Sequence, residues 1–371
     1  MSLKMVGYDL SDNPFIQTPA ISMWAVDKRL NGKLFCEEIV QEQLNKLMRL
    51  IRRQTKVVYV NSSVSVLGTG KSALMASAYW KLIDQGQNTI WTEATGGLSS
   101  SPTLGRIVDA MVAQGIFETM LNKIGEVTES RIKQMLQPMY NRPSPTSISA
   151  LVNILNMSPG ETAKKFANIR RSILISTSME LFGYLVSLME ACGFSRPIIF
   201  IDQFEEFVQA HRGASQMAVL GNDMNDLLRA LQNKATLVLS LHPEAENVLM
   251  SAAQSYIKTF APITSETMVT VPPMKPKEGV KLAEVYLSAY RIKGSKRPNL
   301  YPFTEDVLEY ICWKTRGTPR QFLSALYEAI LEGAEQNYQT IDEKFITNPS
   351  NHAKVLSDAP LEWNKFHKNK L

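Results

Sequence analysis

The sequence predicts an α/β fold, in which a central parallel sheet is flanked by helices and followed by a separate all-helical C-terminal part. Three observations carry that prediction. Short β-branched, apolar runs such as KVVYVN (56–61), RPIIFI (196–201) and ATLVLS (235–240) have strand length. They alternate with segments whose apolar residues recur at helical spacing, and such alternation implies parallel strands joined by helical crossovers. After PMKPKEG (273–279) the pattern is helical throughout.

Each element follows in order. Residues 1–35 read as an irregular lead-in broken by Pro14 and Pro19. A helix then carries Ile39, Val40, Leu44, Leu47, Met48 and Ile51 on one face, with Glu37 and Glu38 in its first turn. The run at 56–61 is a buried strand, SVLGTGKS (65–72) a loop, and ALMASAYWKLIDQG (73–86) a helix closed by Gly86. NTIWTEA (88–94) is the second strand. A long insert at about 98–190 is helical, with stretches at 105–124, 129–139 and Ile175–Met189 and a loop at PSPTS (143–147). Strands at 196–207, with an acidic end, at 235–243, ended by Pro243, and at 267–273 complete the sheet, with a helical LLRALQ (227–232) between the first two. Helices at 280–290, 305–315 and 320–336 form the C-terminal part. The resulting organisation is a lead-in (1–35), an α/β core (36–273) containing the insert, a helical lid (274–347) and a loose polar tail (348–371) ending in Lys365, Lys368 and Lys370.

Composition narrows the function classes. With 44% hydrophobic and 20% charged residues in 371, the chain reads as a soluble globular protein of one large or two modest domains. It lacks the roughly 18-residue apolar stretch of a membrane span and the apolar core of a signal peptide. Cys36, Cys192 and Cys312 are widely spaced and form no CxxC, so reduced thiols in a cytoplasmic protein are expected and no metal-ligand cluster is readable. A net charge of +5 permits nucleic-acid contact without requiring it.

Two motifs carry chemistry. GTGKS, between a strand and a helix, fits the phosphate-binding pattern GxxxxGK[ST], with Gly68, Thr69, Gly70, Lys71, Ser72 and Ala73 in the loop and at the helix start. Backbone N–H groups of such a loop wrap phosphates, Lys71 reaches the terminal ones, and the Ser72 hydroxyl holds magnesium. Ser65 stands where the pattern has its first glycine. About 130 residues later, four apolar residues run into Asp202, a carboxylate at a strand end that can orient Mg2+. The following residue is Gln203, whose carboxamide orients water but is a very poor general base. Glu205 and Glu206 are the candidates to supply the missing carboxylate; otherwise they favour a helix start and hydrolysis of ATP is slow.

The order of these motifs resembles the AAA+ P-loop ATPases over roughly 30–345, and two groups within them: the origin-recognition and helicase-loader initiators, and the STAND signalling ATPases, some of which spell DQFEE. That resemblance implies a sensor 1 residue at the end of LVLSLHP, where Ser240 is the choice and His242 reads as a satisfied loop histidine. It also implies a sensor 2 arginine in TRGTPRQF, which falls on Arg320 after Gly317 and Pro319. Between Pro243 and Thr267 the only basic residue is Lys258, so the family's inter-subunit arginine finger is missing from that stretch. The residues after the lid are too few for an initiator's winged-helix domain.

The implied protein is an ATPase using ATP and Mg2+, working as an oligomer or with a protein partner. One expectation is a DNA-associated assembly factor that contacts phosphates through Arg291, Lys293, Lys296 and Arg297, with further basic groups at Lys164, Lys165, Arg170, Arg171 and at Arg52, Arg53, Lys56. The other is a STAND-like switch in which bound ATP holds a closed state. The helical lid argues against a small-molecule kinase.

Overall fold

The computed structural model describes residues 7–15, 37–64, 68–93, 103–140, 143–158, 161, 175–204, 228, 231, 234–252, 261–357 and 359–370. The chain divides into two compact units, one comprising Met1–Leu44, Ser62–Ser77 and Val271–Leu371, the other Asn45–Asn61 and Ala78–Thr270.

The second unit holds the sheet. Its strands are β1 (Val57–Ser62), β2 (Thr89–Glu93), β3 (Ile198–Asp202), β4 (Thr236–Ser240) and β5 (Met268–Val271), in the spatial order β2-β3-β4-β1-β5. β1, β3 and β4 are buried at every residue, which is why they read as continuous apolar runs rather than alternating ones. The β1–β4, β3–β4 and β2–β3 pairings are parallel: Val57 pairs with Leu237, Ile198 with Thr236, and Glu93 with Asp202. β5 joins the edge through Tyr59 N–H donating to the Thr267 carbonyl (2.9 Å). Trp91 and Phe200, paired in register, stack at 5.7 Å between centroids and fix the β2–β3 half of the sheet.

The insert forms helices α3 (Thr103–Ala113), α4 (Ile116–Ile124), α5 (Glu129–Leu136), α6 (Pro145–Leu155) and α7 (Ile175–Ala191), preceded in the chain by α1 (Gln41–Arg52) and α2 (Lys71–Asp84). Phe117, Met120, Ile132, Leu136, Leu151, Phe182, Leu185 and Met189 bury together with the sheet residues in one core. PSPTS is a helix start rather than a loop. The Ser144 side chain accepts from Ser147 N–H, and Pro145 occupies the first turn, where its missing N–H costs nothing. Helix α8 (Pro243–Ala252) follows β4. LLRALQ lies mostly outside the described residues.

The first unit is helical: α9 (Pro276–Tyr290), α10 (Glu305–Lys314), α11 (Pro319–Glu335), α12 (Glu343–Thr347), α13 (Pro349–Leu356) and α14 (Trp363–Lys370). Leu287, Val307, Ile311, Phe322, Leu326, Ile330 and Phe345 form its core. Two expectations change here. The described part of the lead-in, though irregular, is packed: Tyr8, Leu10 and Phe15 bury in this core, and Leu10 makes an antiparallel bridge with Arg291. The tail is not loose; α13 and α14 bury Val355, Trp363 and Phe366 in the same core, and Lys314 Nζ holds Glu362 at 2.9 Å. Cys192 and Cys312 are free thiols, and burial pushes the Cys312 thiol up to about 12. Among the described residues no helix is long and apolar enough to cross a membrane.

Candidate nucleotide-binding residues

In the first unit, the residues of the phosphate-binding pattern gather with the helical part. Gly68 and Gly70 have φ of 84° and 96°, the left-handed region that favours glycine, and α2 starts at Lys71 directly after them. A helix N-terminus following such a turn presents unpaired N–H groups and the positive end of the helix dipole, an anion-binding arrangement. Lys71 is buried, Ser72 half-buried and Ala73 buried. Ser65 lies outside the described residues.

Arg320 meets this loop through its backbone. Its N–H donates to the Gly68 carbonyl at 3.2 Å, and a Cβ on Gly68 would overlap the Cβ of Arg320. Arg320 as a whole is an exposed residue. Pro319 starts α11, and Gly317, at φ 63°, lies so close to Met274 that a side chain there would overlap its carbonyl. Met274 N–H donates to Gly317 O at 2.8 Å, so the start of α11 is fastened to the segment after β5.

Beside the loop is a small, mostly apolar cleft of about 20 Å3, lined by Ile39, Val40, Thr69, Met274, Leu282 and Pro319 among others. Here the polar groups are Glu278 and Thr69, whose buried Oγ1 has no hydrogen-bond partner among the described residues. Sequence reasoning missed Ile39, Val40 and Met274 as lining residues. Their apolar periodicity marked them for a core, and nothing local distinguishes a core face from a cleft wall.

The second unit carries the acidic strand end. Asp202 is 1% exposed, and its Oδ1 accepts from the Gln203 N–H at 2.9 Å. Gln203 sits at φ 54°, an uncommon conformation for a residue other than glycine, so the chain turns sharply as β3 ends. Phe204 N–H donates to Ser240 Oγ at 3.2 Å, so the fully buried Ser240 hydroxyl braces this turn across to β4. Glu205 and Glu206 lie outside the described residues, as does Lys258. His242 is buried and its Nδ1 accepts from Glu244 N–H at 3.3 Å, capping α8 as a satisfied loop histidine.

The basic group at 291–297 separates into two kinds of residue, and Arg291 must be corrected. Its guanidinium donates to the carbonyls of Tyr8 (3.0 Å), Asn299 (3.1 Å) and Tyr301 (2.6 Å), and burial lowers its pKa. It ties the loop to the lead-in and is committed there. Arg297 lies over the Tyr301 ring at 4.4 Å and 3.8 Å from Asp9, whereas Lys293 and Lys296 are exposed. Arg52 and Arg53 are exposed, and Lys56 is half-buried; Lys164, Lys165, Arg170 and Arg171 lie outside the described residues. Among the described residues no group of three His, Cys, Asp or Glu could hold a metal ion by itself.

No protein-family profile and no curated protein matches the chain. Among solved structures it is similar to the Aeropyrum pernix ORC2 protein in its ADP form, at 13% identity, covering 87% of this chain and 68% of that one, with a TM-score of 0.49. It is likewise similar to the same protein in ADPNP–ADP complexes, at 12% identity, covering 88% and 70%, with a TM-score of 0.49.

Proposed function

We propose that the chain is an ATP-binding ATPase whose phosphate grip is the Gly68–Ser72 loop and whose nucleotide state is read by the helical part through Arg320. The observation that carries this reading is the assembly of three features in the first unit. The two-glycine loop at the start of α2, the backbone of Arg320 on Gly68, and the apolar cleft with the orphan Thr69 hydroxyl all occur together. The loop suits the phosphates of ATP, and the orphan Thr69 hydroxyl beside it offers a further polar contact. Lys71 would neutralise the terminal phosphates, and Arg320 would form a charge-assisted contact with the γ-phosphate.

The donors fit magnesium in kind. Asp202 and Ser72 offer hard oxygen ligands, the class Mg2+ selects, and ATP would supply the rest. When bound, the ion neutralises charge on the phosphates. Within the second unit, the Ser240 hydroxyl keeps the Asp202–Phe204 turn in shape.

In biological role, the reading is a DNA-associated assembly or remodelling factor acting as an oligomer or with a protein partner. Lys293 and Lys296, exposed on the loop after α9, support phosphate contact without base reading. A second reading is a STAND-like switch that holds ATP with little turnover. Gln203 favours it, because the residue after Asp202 lacks a carboxylate.

The test measures ATP affinity of the wild type, Ile39→Trp and Arg320→Ala, with hydrolysis in the presence and absence of duplex DNA at two salt concentrations. Ile39→Trp, which fills the cleft, is expected to weaken ATP binding about tenfold or more. Hydrolysis raised by DNA, with salt-sensitive DNA binding, supports the assembly factor; tight ATP binding with negligible turnover under all conditions supports the switch. Unchanged affinity in Ile39→Trp and Arg320→Ala contradicts the nucleotide site.

A further inference from the structure

Within the first unit, the lead-in crosses the basic loop that follows α9 and leaves one acid in it. Tyr8 and Leu10 are buried in the helical core. Leu10 bridges Arg291, Ser11 N–H donates to the Tyr290 carbonyl at 2.9 Å, and Ile292 N–H donates to the Asp9 carbonyl at 2.9 Å. Between its two buried neighbours Asp9 has a φ of 54°, a left-handed conformation that Asp and Asn visit more readily than other non-glycine residues. Its side chain reaches the loop. Ser295 Oγ donates to Asp9 Oδ2 at 2.8 Å, and Arg297 Nε lies 3.8 Å from the same oxygen. Arg297 is positioned in turn, with its N–H donating to Ser295 Oγ at 3.2 Å and its guanidinium over the Tyr301 ring at 4.4 Å.

A carboxylate oxygen that accepts from a hydroxyl and faces a guanidinium makes the contacts a phosphate oxygen makes. Stability does not require this one. The side chains of Arg297 and Asp9 are 51% and 37% exposed, and an exposed pair at such a distance adds little to folding. The lead-in is anchored without it, by Tyr8, by Leu10 and by the Arg291 guanidinium on the Tyr8 carbonyl. The effect of Asp9 is instead on the charge of the loop, where it offsets Arg297 while Lys293 and Lys296 stand exposed on either side of Ser295. A row of cations of which one is already neutralised suits an extended chain of phosphates better than a single anion.

We propose that Asp9 is an internal competitor of nucleic acid at this loop. Its carboxylate holds the place of a backbone phosphate at Arg297, and a nucleic-acid backbone engages Arg297, Lys293 and Lys296 by displacing it. This rests on the DNA-contact reading above and adds its regulation. Only the Asp9 side chain has to turn away, because the backbone bridge of Leu10 with Arg291 does not involve it. The contact is to phosphate alone, so Asp9 sets the strength and salt dependence of binding and not a sequence preference.

The test measures binding of a labelled DNA duplex to the full chain by fluorescence anisotropy at several salt concentrations. The proteins are wild type, Asp9→Asn, Ser295→Ala, Glu38→Gln, Lys293→Ala/Lys296→Ala and Asp9→Asn/Lys293→Ala/Lys296→Ala. Asp9→Asn keeps a side chain suited to the backbone turn and removes the charge. It is expected to bind about threefold or more tighter than wild type at low salt, with a salt dependence steeper by about one phosphate contact. Ser295→Ala frees the carboxylate from its hydroxyl and is expected to gain in the same direction by less; a gain is a result that misfolding does not give. Glu38→Gln controls for net charge, since Glu38 pairs with Lys281, about 15 Å along α9 from Arg291, beyond a Debye length of about 10 Å. Its affinity is expected to match wild type. The lysine substitutions are expected to cancel the gain of Asp9→Asn, and inorganic phosphate to compete no better than chloride at equal ionic strength. Lysine-dependent binding that Asp9→Asn leaves unchanged or weakens, an equal gain in Glu38→Gln, or selective competition by inorganic phosphate would each overturn the proposal. Absence of lysine-dependent binding in wild type and Asp9→Asn alike would sink the DNA reading itself, and the proposal with it.

Discussion

The amide of Arg320 donates to the carbonyl of Gly68 at 3.2 Å, and the Arg320 Cβ occupies the space that a side chain on Gly68 would need. Arg320 at the start of α11 and the loop before Lys71 are therefore fitted to each other. Gly68 is required twice, for its φ of 84° and for the close approach. Gly68→Ala is expected to lower ATP affinity at least about tenfold and stability by about 1–3 kcal/mol, the range for forced backbone strain. Isothermal titration with ATP and thermal melting measure the two effects; a variant indistinguishable from wild type in both contradicts the contact.

Gly317 makes a parallel case that separates folding from binding. Its φ is 63°, and a side chain there meets the Met274 carbonyl rather than the loop. Gly317→Ala is expected to destabilise the helical part by about 1–3 kcal/mol. ATP affinity should fall less than in Gly68→Ala. Denaturant titration of both variants ranks them, and the reverse order of ATP losses would count against the assignment.

The alternation of strands and helices was legible because β1, β3 and β4 are buried on both faces, so each reads as an uninterrupted apolar run. The turn at Gly68 and Gly70 and the strand end at Asp202 were legible because their residue pattern is local in the chain. The register of Glu93 with Asp202 was not, because β2–β3 pairing is made across the whole insert. Arg291 looked like a solvated loop arginine, yet the turn that follows it creates the carbonyl oxygens it binds. Tyr8, Leu10 and Phe15 were missed because an irregular segment has no period to betray its buried side chains.

Arg291 and its lysine neighbours should therefore respond differently to mutation. Arg291→Ala removes charge-assisted hydrogen bonds to four backbone carbonyls and is expected to cost about 2 kcal/mol or more in stability. Lys293→Ala/Lys296→Ala is expected to leave the melting temperature nearly unchanged and to reduce any DNA affinity together with its salt slope. Chemical denaturation and DNA titration at several salt concentrations check this pair. A stability loss confined to the lysine variant would reverse the assignment.

Lys234 gives a pH signature to the second unit. Burial lowers its pKa to about 8 while its ammonium sits 4.2 Å from the Tyr140 ring. The folded state thus binds fewer protons at this residue than the unfolded chain, whose lysine titrates near 10.4. Stability from this group is lowest below about 8, rises as pH climbs from about 8 towards 10.4, and is flat above. Lys234→Met is expected to flatten that rise in urea-denaturation midpoints measured across the window. An unchanged slope would show that Lys234 does not carry it.

The central claim is that the loop from Gly68 to Ser72 holds the phosphates of ATP, with Lys71 as the charge that secures them. Equilibrium binding of ATP and Mg2+ to wild type and Lys71→Ala, with circular dichroism to verify that both are folded, tests it most directly. The account predicts saturable binding by wild type and a loss of about 100-fold or more in the folded Lys71→Ala variant. Equal binding by both, or none by wild type, would contradict it.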